Sequence, residues 1–174
     1  MTEEHHLGHV ARLHADAVGQ PGHRRFQLLV DSVAGASAVL WLEKEQLFNL
    51  GLALKRLIGL AGGKEEARES ADAAEEAGEP VAGPDLNLEF QVQELAVGYD
   101  AARALYLIGA ESRGEDRETP KKVNLVATEA EVDALADEAF AVCAAGRPLC
   151  PLCGASMDTE RHVCPRHNGH GPAA

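Results

Sequence analysis

The sequence predicts an α+β protein: two β-β-β-α units forming a mostly antiparallel sheet with helices on one face, followed by a C-terminal zinc ribbon. Three observations predict it. The apolar spacing switches twice, at corresponding places, from a period of two to a helical period. A Glu-, Ala- and Gly-rich stretch with no large apolar residue before Val81 separates the two switches. The tail then crowds Cys150, Cys153 and Cys164 together at metal-ligand spacing.

In the first unit, Val10–Ala15 alternates, Gln20-Pro21-Gly22 supplies turn chemistry, and Phe26–Val30 resumes an extended run. Ala38–Leu42 is the third strand. Leu47, Leu50, Leu54, Leu57, Ile58 and Ala61 then trace one face of an amphipathic helix that ends at Gly62-Gly63. In the second unit, Phe90 to Val97 is extended and Gly98-Tyr99-Asp100 reads as a turn. Leu105–Ile108 and Val123–Ala127 are the next strands. Thr128-Glu129-Ala130-Glu131 reads as a capping box, and Val132, Leu135, Ala136, Ala139, Val142 and Cys143 form the helical face that Gly146 closes. The junctions at Glu43-Lys44-Glu45-Gln46 and Thr128–Glu131 occupy equivalent places. This is a pattern-level repeat, although meander-plus-helix units also recur by chance.

Residues 1–146 therefore form the α+β domain, with an acidic insert at 62–84, and residues 147–174 form the tail. The insert has nothing to bury against the entropy of ordering, so it is expected to be solvated and mobile. Hydrophobic residues make up 45% of the chain, enough for a packed core, and aromatic residues only 4%, so that core is aliphatic. The formal net charge of −12 argues against nucleic acid or an anionic membrane as a partner. The start has neither a basic segment nor an apolar one, and no apolar run is long enough to span a bilayer, so the expected location is cytoplasmic.

The tail carries the sharpest chemistry. In Cys150-Pro151-Leu152-Cys153-Gly154 two thiolates can converge on one ion, with Gly154 free to take the positive φ of a knuckle. His162 and Cys164, two apart on an extended segment, point the same way and complete a four-ligand set. His167 is an alternative fourth ligand if Cys164–His167 forms a second knuckle, and His170 is a weaker third. A set of three cysteines and one histidine is closed, which indicates one structural Zn2+ rather than a catalytic ion. Cys-Pro-Leu-Cys also has the shape of a redox motif, but no helix follows it to lower a thiol pKa. Zinc in such modules supplies roughly 10–16 kcal/mol of apparent binding energy, which a short tail with few apolar residues needs in order to fold.

Three segments in order carry a family resemblance: Gly19-Gln20-Pro21-Gly22-His23-Arg24-Arg25-Phe26, Leu42-Glu43-Lys44-Glu45-Gln46, and Ala144–Pro148 leading into Cys-Pro-Leu-Cys-Gly and His162-Val-Cys-Pro-Arg-x-Asn-Gly. The chain resembles the mainly actinobacterial domain-of-unknown-function family 3090 over nearly its whole length. The resemblance implies His162 rather than His167 as the fourth ligand. The proximity of the family's genes to phosphomutase-like and kinase-like genes implies a metabolic setting. It supplies no activity. The long insert and the acidic second helix (Glu129, Glu131, Asp133, Asp137, Glu138) depart from the family pattern.

Outside the tail, Arg24, Arg25, Lys44 and Glu45 are the candidate ligand surface, although such residues more often pair or cap a helix. Trp41 reads as core, Cys143 as a small buried hydrophobe, and His5, His6, His9 and His14 as solvent-exposed decoration. No phosphate loop, nucleophile elbow or His-Glu-x-x-His helix is present. The expected function is that of a binding or adaptor protein, not an enzyme, with a protein or small-molecule partner. The alternative is an enzyme or enzyme subunit acting on a phosphorylated metabolite, with Arg24, Arg25 and Lys44 as anion contacts.

Overall fold

The computed structural model of the protein describes residues 2–20, 22–62, 82–114, 119–145 and 152. In chain order the elements are β1 (Glu3–Val18), β2 (Arg25–Ser32), β3 (Ser37–Leu42), α1 (Lys44–Ala61), β4 (Asn87–Asp100), β5 (Leu105–Ser112), β6 (Lys121–Ala127) and α2 (Glu129–Ala144). The two β-β-β-α units are present. Alternation fixes the inner face of each strand: Ala38, Leu40 and Leu42 of β3 are buried, as are Val123, Leu125 and Ala127 of β6.

The six strands close into a barrel in the order β1-β2-β3-β4-β5-β6, a closure that the pattern of the strands did not disclose. Neighbouring strands pair antiparallel except at two seams, where β3 runs parallel to β4 and β6 parallel to β1. At each seam the third strand of one unit pairs with the first strand of the other. Long strands make this possible. The N-terminal half of β1 pairs with β6 and its C-terminal half with β2, and β4 divides in the same way between β3 and β5. A bulge sits at each changeover, at Ala11 in β1 and at Gln93 in β4, and lets the strand bend from one partner to the next. A further bulge in β1 lies between His6 and Gly8, where Gly8 takes φ 67° in the left-handed region that favours glycine.

The repeat extends to register. Ala17, Phe26 and Leu42 stand side by side across β1, β2 and β3, as Tyr99, Tyr106 and Ala127 do across β4, β5 and β6. Val10 faces Ser32 beside one bulge and Val92 faces Ser112 beside the other. In the helices Leu47, Leu50, Gly51 and Leu54 are buried at the positions of Val132, Leu135, Ala136 and Ala139. The two helices pack on each other, α2 against β1 and α1 against β4, and their apolar faces join the barrel interior in one core.

Three expectations need correction. Gly98-Tyr99-Asp100 is still strand, because Asp100 begins the turn: its carboxylate accepts from the Ala102 and Arg103 amides at 2.9 and 3.2 Å. Trp41 lies on the outer face of β3, as alternation from Leu40 and Leu42 requires, and its indole N–H donates to Glu89 at 2.8 Å. His5 and His6 are half-buried, whereas His9 and His14 are exposed, His14 with its ring on Glu138 of α2. Residues 63–81 of the expected insert lie outside the described residues, and at its two ends Gly62 caps α1 and Pro84 packs on Gly35.

Candidate functional site

The acidic face of α2 finds its partners inside the molecule. Glu131 closes the cap with Thr128, whose amide donates to it at 2.7 Å. Lys55 of α1 reaches Asp133 at 2.6 Å and Asp137 at 2.8 Å, and its ammonium is held above its ordinary pKa, chiefly by the Asp133 hydrogen bond. Glu138 takes the His14 ring at 2.9 Å and the Ala15 amide at 3.1 Å. These carboxylates dock the second helix on α1 and β1.

Arg24, Arg25, Lys44 and Glu45 line neither of the cavities described next. Arg24 is half-buried with its Nε unpartnered, and Arg25 lies over the Trp41 ring at 4.0 Å. Lys44 and Glu45 are exposed in the first turn of α1. Cys150, Cys153, His162 and Cys164, with His167 and His170, lie outside the described residues. Among the described residues no three His, Cys, Asp or Glu side chains converge to hold a metal ion. Cys143 is buried, and burial pushes its thiol pKa up.

Among the described residues, a groove of about 230 Å³ lies on the outer face of β1, β6, β5 and β4. Register places the outward-facing lining in three rows that continue into Glu4 and His9 beside the groove. One row runs Glu94, Glu111, Lys122, Glu4. The next runs Ala96, Gly109, Asn124, His6, and the third Gly98, Leu107, Val126, His9. The same three rows exist in the other half of the barrel, across β1, β2, β3 and β4. They read Arg12-Asp31-Ser37-Asn87, His14-Leu29-Val39-Glu89 and Asp16-Gln27-Trp41-Gln91.

The comparison explains why the grooved half opens. Leu29 and Val39 cover the floor of the first half, and Arg12–Asp31 (2.6 Å), Gln27–Asp16 (3.4 Å), Trp41–Glu89 and Ser37–Asn87 close its surface with side-chain pairs. In the second half the places of Leu29, His14 and Asp16 go to Gly109, Ala96 and Gly98, so the backbone itself is the floor. The approach is close: a Cβ on Gly109 would stand 3.1 Å from Asn124 Oδ1 and 3.7 Å from Ala96 Cβ.

At the charged edge Glu4 is the hub. Lys122 Nζ lies 3.1 Å and Asn124 Nδ2 2.7 Å from its Oε1, and the Lys122 hydrogen bond holds its carboxyl below the ordinary value against the opposing effect of burial. His6 completes the edge, its Nε2 3.8 Å from Glu4 and its Nδ1 buried without a partner. A second cavity, about 290 Å³, lies between α1 and β4 and is lined by Gln46, Asn49, Leu50, Ala53, Gln93, Leu95 and Val97. It contains no charged side chain, and Gln46 is already bonded to the Val92 and Gln93 carbonyls.

The groove was missed in the sequence because its residues are scattered from His6 to Val126. One signal was present: Gly109 interrupts an apolar strand, which marks a close approach to backbone.

The family described as Protein of unknown function (DUF3090) matches residues 5–164. The chain belongs to that family. The match takes in β1 from His5 on, the other five strands and both helices, and runs on to Cys164. Comparison with curated proteins and with solved structures gave no match. Among the described residues, no helix is long and apolar enough to cross a membrane.

Proposed function

We propose that this family member is a cytoplasmic binding protein, not an enzyme, whose working surface is the groove on β1, β6, β5 and β4. The observation that carries this reading is the divergence of the two halves. The repeated framework covers the outer face of one half with Leu29, Val39 and paired polar groups, and leaves the other floored by Gly109, Ala96 and Gly98. At about 230 Å³ the groove is smaller than the roughly 300–1,000 Å³ of drug-sized sites, so it suits a small molecule or a single side chain of a partner. Fragment screening by amide chemical shifts tests it. Hits should perturb Ala96, Gly109 and Asn124 and disappear in Gly109→Leu, which installs the residue of the closed half. A screen whose hits all map elsewhere would overturn it.

The tail is proposed to hold one structural Zn2+ through Cys150, Cys153, His162 and Cys164. The Cys-x-x-Cys-Gly spacing followed by the His162/Cys164 pair supports this ligand set. Thiolate ligation also suits the reducing cytoplasm. Metal analysis should give about one zinc per chain, and His162→Ala should lose it while His167→Ala keeps it. Intact thiols without zinc would refute the site. The enzymatic alternative draws less support, because Arg25 is stacked on Trp41 and not aimed into a cavity.

A further inference from the structure

The groove has a chemical polarity that selects its ligand. Asn124 Nδ2 donates to Glu4 Oε1 at 2.7 Å, and a carboxylate can only accept, so this contact fixes which end of the amide faces which way. Oδ1 is turned the other way, over Gly109, where a Cβ would come within 3.1 Å of it. The pocket floor therefore presents a hydrogen-bond acceptor held in place by a charged partner. Beside it, Glu94 and Glu111 stand directly opposite each other across β4 and β5. Like charges at such a position repel, and a cation seated between them relieves the repulsion. Lys122, opposite Glu111 on β6, sits on Glu4 at 3.1 Å, and the row Glu94, Glu111, Lys122, Glu4 still sets three carboxylates against one ammonium. From this acceptor-rich end the groove runs to an apolar one, over the bare backbone of Gly98 toward Leu107 and Val126.

Resting on the reading of the groove as a binding site, we propose that its ligand is a small organic cation with a planar, donor-rich head and a short apolar stem: an alkylguanidinium or alkylamidinium. The head lies flat on the Gly109 floor and donates to Asn124 Oδ1 and to the Glu111 and Glu94 carboxylates. The stem lies over Gly98 against Leu107 and Val126. Flat stacking requires the absence of a Cβ at Gly109, and the fork of N–H groups matches the carboxylates, where a spherical ammonium would meet fewer acceptors. Such a head is available from a free metabolite or from an arginine side chain presented by a partner protein.

Three probes of similar size separate the chemistry: n-butylguanidinium, its neutral planar counterpart n-butylurea, and the anion butyrate, each titrated into the full chain and followed by amide shifts. Butylguanidinium is expected to shift Ala96, Gly109, Glu111 and Asn124, more weakly as salt is raised. Glu111→Gln should weaken it roughly tenfold, the loss of one charge-assisted hydrogen bond. Gly109→Leu should abolish it, with the amides of β2 and β3 reporting that the barrel is intact, and Glu111→Gln keeps the test alive if that variant misfolds. If butylurea or butyrate binds the groove as well as the cation does, the ligand class is wrong while the groove reading survives. If none of the three shifts groove residues and fragment hits map elsewhere, both are wrong. If the cation alone fails while other fragments bind there, only this inference falls. N-acetylarginine amide then distinguishes the sources: tighter binding than butylguanidinium assigns a partner's arginine, and weaker binding a free small molecule.

Discussion

Tyr106 brings a phenolic hydroxyl into a largely aliphatic barrel interior, and the cost of that hydroxyl can be measured. The side chain is fully buried, and its oxygen makes no well-aligned hydrogen bond, with the Glu129 carboxylate as its nearby acceptor. Burial, with the charge of Glu129 acting the same way, pushes its pKa up to about 12. A buried unsatisfied hydroxyl costs about 1–3 kcal/mol, so Tyr106→Phe should leave stability unchanged or raise it by about 1 kcal/mol in urea unfolding at neutral pH. The sign of the pH dependence follows from the direction of the shift. An acid with a raised folded pKa contributes its full stability below the unfolded value near 10 and loses it as pH rises toward 12. Wild-type stability should therefore fall across that window and that of Tyr106→Phe should fall less. A substantial loss of stability in the variant at pH 7 would mean that the hydroxyl is satisfied in the folded state. Its equivalent in the other half, Phe26, occupies the same register without a hydroxyl, which is consistent with a dispensable one.

The two helix starts look alike in the sequence and differ in what their caps hold. Thr128 and Glu131 cap α2 reciprocally, the pairing that the Thr-x-x-Glu pattern predicts. At α1 the corresponding residue, Gln46, bonds back to the Glu43 amide at 2.9 Å and also donates to the Val92 and Gln93 carbonyls at 3.3 and 3.2 Å. Those carbonyls belong to the β4 bulge, so one side chain joins the start of a helix to the bend of a strand. Gln46→Ala should cost about 1–2 kcal/mol, more than the approximately 1 kcal/mol expected for Thr128→Ala, although Thr is the better N-cap residue. Guanidinium unfolding of the two variants decides this, and a smaller loss at Gln46 would show that the clamp adds nothing. Much of this level was legible beforehand. Alternation located every strand, and the helical faces Leu47–Leu54 and Val132–Cys143 were read correctly, because these signals are local. Strand ends, bulges and partners were not, because pairing is decided by residues far apart in the chain. Trp41 shows how a residue-type expectation can mislead: a large aromatic suggested core, while its place in the alternation put it outside, under Arg25. The groove lay beyond reach for the same reason as the pairing. Gly109, Asn124, Ala96 and His6 form a row only after four strands are in register.

In the whole molecule, the parallel seams make the two units depend on each other. β3 of the first unit pairs with β4 of the second and β6 of the second with β1 of the first, so either unit alone would leave two strand edges open. The helices add to this, since Lys55 of α1 holds Asp133 and Asp137 of α2 and the apolar faces of both belong to one core. A chain organised as a repeat should therefore unfold as one unit and not in two steps. The sequence supplies separate reporters for the two halves, since the single tryptophan, Trp41, lies in the first unit and both tyrosines, Tyr99 and Tyr106, lie in the second. Denaturant unfolding followed by Trp41 fluorescence, excited where tyrosine does not absorb, should coincide in midpoint and slope with unfolding followed by tyrosine absorbance and by helical circular dichroism. Two resolved midpoints would mean that the seams contribute little and that each half folds on its own core. Coincident curves would mean that closing the barrel, which joins the covered half to the grooved half, is the step that commits the chain to its structure. In that case a groove variant such as Gly109→Leu should shift all three curves together or none of them.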